Sequence, residues 1–143
     1  MALLNDNVRA ELREILGGLS HSVELDLHPA GDDQATEVMR TLLGELSETV
    51  PALVVRERTD PPVVEPGHDT GMPLEGPILR VRAADGTGGE VRFLGMTVGL
   101  EFATLVEAIR QAADGGTRLS PATIQELATL NGPVHIQVFT TPT

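Results

Sequence analysis

The chain contains no cysteine, no tryptophan, no tyrosine and no lysine. The missing cysteines exclude disulfide bonding, thiol catalysis and thiolate metal sites within these residues. Three Phe are the only aromatic residues, so a core must be assembled from Leu, Val, Ile, Ala and Met. Every one of the ten basic residues is Arg, set against 21 Asp and Glu for a formal charge of −11. Phosphate backbones are bound by concentrated positive surface, and none is visible, so no nucleic acid is expected as a partner. The acidic residues are spread over both halves and read as solubilising surface. No basic stretch leading into an apolar run opens the chain, and no apolar stretch is long enough to span a bilayer. A soluble, cytoplasmic protein with no membrane partner is the expectation.

What is present is the composition of a folded globule: 143 residues, 41% hydrophobic, 22% charged. That is enough for one ordinary domain with a real core. The periodicity predicts a first helix over about Asp6–Gly17, with Val8, Leu12, Ile15, Leu16 and Leu19 on one face. Asn5 or Asp6 can cap it, and Gly17-Gly18 ends it. A strand over Val23–Leu27 alternates apolar residues with Glu24 and Asp26, which implies one buried face and one wet or edge-facing one. A second helix is expected from about Gln34 to Thr49, with Asp32 or Asp33 at the N-cap. Ala52–Arg56 has a continuous apolar run and reads as a buried parallel strand.

A Pro- and Gly-rich connection covers 59–75. Strands are then expected over Pro77–Arg82 and Glu90–Leu94, joined by an Asp85-Gly86 type hairpin. A third helix follows over about Leu100–Ala113. The alternation of helices with strands and the hairpin predict an α/β sandwich with a mixed, roughly four-stranded sheet. The ending repeats the layout of the beginning. Ser120 caps, Pro121 sits at N1, Ile124, Leu127 and Leu130 face inward, and Val134–Phe139 reads as a last strand. This divides the chain into a unit over 1–116 and, over 117–143, the helix and strand that open a second one.

Three stretches carry a resemblance. They are the opening helix from Leu4, the run Arg92-Phe93-Leu94-Gly95-Met96-Thr97-Val98-Gly99-Leu100-Glu101-Phe102 leading into the third helix, and the lead-in from Leu119 to Thr143. With the β-α-β, hairpin, helix order, they resemble tandem thioredoxin-fold proteins. These are the N-terminal domain of the alkyl hydroperoxide reductase F subunit and the glutaredoxin-like protein disulfide oxidoreductases. The resemblance implies a thioredoxin-like three-layer α/β/α sandwich, with Gly76-Pro77 in the place of that fold's cis-proline. It also implies that a C-x-x-C would stand at the start of the second helix in a redox-active unit. There the chain has Asp32-Asp33-Gln34-Ala35, a vestigial site without a nucleophile, so no catalytic residue and no cofactor are expected. In such proteins the second unit's strand runs into its own C-x-x-C. A chain cut just before that motif is the expectation drawn from Thr140-Thr141-Pro142-Thr143.

The resemblance implies a non-catalytic half of a disulfide-relay oxidoreductase, in cell redox homeostasis, whose partner is the adjacent redox-active thioredoxin-like unit or a reductase. A homodimer through strand 134–139 is a further expectation, because a shared sheet would leave that edge bare. The alternative is a free-standing adaptor that binds a protein through a groove at Gly76 and Pro77, flanked by Met72 and Leu74. Two other groupings compete with a reading as plain loop surface. Asp32, Asp33 and His28 lie in one loop but are too few oxygen and nitrogen ligands for a cation cage. His68-Asp69 lacks a nucleophile to activate. No metal site is expected.

Overall fold

The computed structural model describes residues 2–30, 33–60 and 76–140. Helix α1 (Asp6–Leu16) starts where the Asn5 side chain accepts the N–H of Val8, and it buries Leu12 and Leu16. Strand β1 (Val23–His28) follows. Helix α2 (Gln34–Thr49) turns Met39, Leu42, Leu43 and Leu46 inward and leads to β2 (Leu53–Glu57). The hairpin strands are β3 (Ile78–Ala83) and β4 (Val91–Leu94). Helix α3 (Leu100–Asp114) ends on Gly115, whose left-handed φ of 62° favours glycine, and its N–H closes on the Gln111 carbonyl. A short α4 (Pro121–Leu127) is capped by Ser120 with Pro121 in its first turn, as expected.

The sheet runs β2-β1-β3-β4, with β1 and β2 parallel and the other pairs antiparallel. This is the mixed four-stranded sheet expected. Side chains alternate across a strand, so the register sorts them into two faces. Val23, Leu25 and Leu27 stand beside Leu53 and Val55 on one side and Ala83, Val81 and Leu79 on the other. Leu25, Leu27, Leu79 and Val81 join Leu12, Leu16, Met39, Leu42, Leu46, Leu105 and Ile109 in one cluster, so α1, α2 and α3 share a single core with this face. Each buried Leu contributes roughly 2 kcal/mol through apolar burial.

Four expectations need correcting. The acidic face of β1 is not wet: the strand lies between β2 and β3, and Glu24 and Asp26 are 7% and 1% exposed. The β2 strand is not buried through its length. It is an outer strand of the sheet, and its last two residues, Arg56 and Glu57, are exposed. Finally, residues 134–139 form no strand, and Val134, Ile136, Val138 and Phe139 are 61–80% exposed. The inward face expected of α4 is absent too, since Ile124, Leu127 and Leu130 are exposed and α4 buries no residue. An alternating apolar run becomes a strand only when a neighbouring strand takes up its N–H and C=O groups.

Candidate functional site

The sheet end where β1 and β2 finish is also where β3 begins, because β3 runs antiparallel to β1. There His28 pairs in register with Ile78, and Leu27 with Glu57. The start of α2 lies just past the same strand. Asp33 is its N-cap, with its carboxylate 2.7 Å from the Thr36 N–H. Hydrogen bonds from the Thr36 hydroxyl and then the Thr36 N–H hold the Asp33 carboxyl below its ordinary value. Gln34 and Ala35 form the first helical turn, exposed and half-buried respectively. The Thr36 hydroxyl, fully buried, accepts the Ala30 N–H at 3.3 Å and so ties the loop back to the helix. Asp32 lies outside the described residues.

At the same end of the sheet, Pro77 is buried and its carbonyl accepts the Gly95 N–H at 2.8 Å. Gly76 is half-buried with φ 100°, a conformation that favours glycine. The Gly76–Pro77 peptide bond is trans, since no described bond is cis. Met72 and Leu74, expected to flank a groove here, lie outside the described residues, as do His68 and Asp69. The loop after β4 closes over α2: the Thr97 N–H and hydroxyl reach the Met39 sulfur at 3.3 and 3.5 Å, all fully buried.

Below this end lies a charged network that the sequence reading missed. Arg56 and Arg82 each reach Glu24 at 2.6 Å, while Arg58 and Arg82 reach Asp26 at 3.2 and 3.6 Å. Two carboxylates on the central strand are thus flanked by three guanidinium groups from its neighbours, which is what makes burying the carboxylates tolerable. The signal was available. Arg56-x-Arg58 and Arg80-x-Arg82 flank Glu24-x-Asp26 with the same two-residue period. His28 directs Nδ1 to the Asp60 carbonyl at 2.9 Å, and His21 does the same to the Ala113 carbonyl at 2.9 Å. Both bind backbone carbonyls, which suits a structural part. Among the described residues, no group of three or more His, Cys, Asp or Glu could hold a metal ion, and no helix is long and apolar enough to cross a membrane.

A four-stranded mixed sheet in this order, a capped helix after its central strand and a Pro opening the hairpin define a thioredoxin-like fold. Solved structures similar to it carry the same fold. The NTD_N/C domain of alkylhydroperoxide reductase AhpF from Enterococcus faecalis V583 superposes with a TM-score of 0.71 at 18% identity, covering 90% of this chain and 61% of that one. A protein disulfide oxidoreductase from Aeropyrum pernix K1 superposes with a TM-score of 0.61 at 24% identity, covering 90% and 56%. In sequence, the chain is 25% identical over 142 residues to the alkyl hydroperoxide reductase F subunit of Staphylococcus aureus Mu50, and equally to that of Staphylococcus epidermidis RP62A. Each alignment takes in 96% of this chain and 24% of the relative, so the chain spans about a quarter of the curated relatives it matches. No family model matches the chain. These relatives are the proteins that the Arg92–Phe102 run and the repeated layout resemble.

Proposed function

We propose that this chain is the non-catalytic thioredoxin-fold half of a disulfide-relay oxidoreductase, and that it supports and positions an adjacent C-x-x-C unit absent from these residues. The observation that carries the reading is the start of α2. A redox-active unit uses the dipole of that helix N-terminus to stabilise a thiolate. Here Asp33 uses it as a cap, with its carboxylate on the Thr36 N–H. On this reading the helix start and the strand end stand where a redox unit has its site, without a nucleophile and with a trans Gly76–Pro77 bond. The similarity to the F subunit of alkyl hydroperoxide reductase and to a protein disulfide oxidoreductase supports a redox setting. A cytoplasmic location fits that setting.

The partner surface that suits this reading is the end of the chain. Val134, Ile136, Val138 and Phe139 form an exposed apolar run that an adjoining sheet would cover. We assign that cover to the adjacent redox unit, with a second copy of the chain as the alternative occupant. The second reading, an adaptor that uses the Gly76–Pro77 segment, draws on the half-buried Gly76 backbone beside the hairpin.

The experiment deletes residues 1–116 from the gene product that carries this chain. The remaining dithiol unit should still reduce a small aromatic disulfide. Its turnover with a flavoprotein reductase or a protein disulfide should fall at least tenfold. Unchanged turnover with both would remove the supporting role.

A further inference from the structure

Just past the short helix α4 the chain reads Leu130-Asn131-Gly132-Pro133. Asn131 and Gly132 are both exposed. The last backbone bond at the end of α4 runs from the Leu130 N–H to the Leu127 carbonyl at 3.1 Å. Beyond it, neither Asn131 nor Gly132 makes a hydrogen bond among the described residues. Gly132 has φ 127°, a conformation that favours glycine, and nothing stands within 4 Å of where a Cβ would be. A side-chain amide is thus followed by a backbone nitrogen that is unbonded and unshielded.

That pairing has a chemistry of its own. The Gly132 nitrogen, giving its proton to a solvent base, attacks Asn131 Cγ. An N–C bond forms, the Cγ–Nδ2 bond breaks and ammonia leaves, which closes a five-membered succinimide. Water then opens the ring. Attack at Cγ gives aspartate, and attack at the main-chain carbonyl carbon gives isoaspartate. The sum is hydrolysis of an amide to a carboxylate and ammonium, with no change of oxidation state.

The comparable steps elsewhere in the chain are protected. At Asp85-Gly86 the carboxylate accepts the Thr87 N–H and hydroxyl at 2.9 and 2.7 Å, and the Gly86 N–H is bonded to the Ala83 carbonyl. At Asp114-Gly115 the carboxylate accepts the Ser20 N–H at 3.1 Å, and the Gly115 N–H is bonded to the Gln111 carbonyl. The other two Asn are held as well. Asn5 caps α1 through its side-chain oxygen, and Asn7 lies within that helix before the β-branched Val8.

We propose that Asn131 is a self-modification site, converting without an enzyme to aspartate and isoaspartate. Either product adds a negative charge at neutral pH, three residues before the exposed apolar run that starts at Val134. Isoaspartate also routes the backbone through Cβ, which lengthens the chain between α4 and that run and redirects it. The site stands whether or not an adjoining unit covers the run.

Ageing the purified chain at neutral and at mildly alkaline pH tests it. There is no lysine and no arginine after Arg118, so trypsin releases Leu119–Thr143 as one peptide. That peptide should gain the mass difference between OH and NH2, faster at the higher pH, and split into two chromatographic species. Met1–Arg9, with Asn5 and Asn7, should stay unmodified over the same time. An unprotected turn has no opening step to wait for, so the rate should lie within about threefold of that of a free peptide of residues 126–137. Asn131→Gln should abolish the change and leave the urea midpoint unmoved, since glutamine closes only a slower six-membered ring. A rate about tenfold or more below the free peptide's, as one protecting hydrogen bond would give, overturns the site. So does a mass gain that persists in Asn131→Gln, which would put it on Gln125 or Gln137.

Discussion

Asp26 is the residue on which most of the local electrostatics converges. It is 1% exposed, on the central strand, and held by Arg58 and Arg82. Removing one member of a buried ion network leaves charges without partners, which costs about 3–5 kcal/mol. Asp26→Ala should therefore lower the unfolding free energy by roughly 3 kcal/mol in urea titrations. Glu37→Ala, which breaks only a surface pair with Arg40, should change it by less than about 1 kcal/mol. Equal losses in the two would show that the β1 network is not the buried one described. Glu107 behaves differently. Its hydrogen bonds to Arg110 lead among the effects that pull its carboxyl down to about 2. A carboxyl lowered on folding stabilises the fold above its ordinary value near 4.5, and that contribution fades as pH falls toward about 2. An NMR titration should find Glu107 still ionised at pH 3.5, and Arg110→Met should raise its midpoint.

At the scale of elements, helix ends were the part most legible in the sequence. Asn5 and Asp33, each one of two candidates in the sequence, and Ser120 cap the three helices, because a cap is a contact within three residues of chain. Asp33→Ala should cost about 1 kcal/mol, read as a lower urea midpoint with an unchanged slope. What strands do was less legible, because it depends on neighbours far away in sequence. Glu24 and Asp26 look like a wet face until β1 is known to lie between two arginine-bearing strands. Val134–Phe139 has the alternation of a strand but forms none in the structure. Likewise, Ile124 and Leu127 have helical spacing on α4 without a surface to face. Since α4 buries nothing, deleting residues 117–143 should move the urea midpoint by less than about 0.5 kcal/mol of stability. A large loss would show that this segment contributes to the core shared by α1, α2, α3 and the sheet.

Taken whole, the molecule is a closed core with an open apolar end. One cluster joins α1, α2 and α3 to the sheet, while the last stretch of chain puts its apolar side chains in solvent. The candidate site was partly legible: the helix start could be located and its lack of a nucleophile seen. The Pro77 carbonyl's bond to Gly95 and the Thr97–Met39 contact were not, since both depend on how the loop after β4 folds back. The proposed supporting role draws on a thioredoxin-like shape, a capped and cysteine-free helix start and an exposed apolar stretch near residue 139. The most direct measurement is to read the source gene past the codon for Thr143. The supporting role predicts a C-x-x-C within the next few codons, opening a helix as the repeated layout requires. A stop codon in that place would contradict it and put the adaptor reading first.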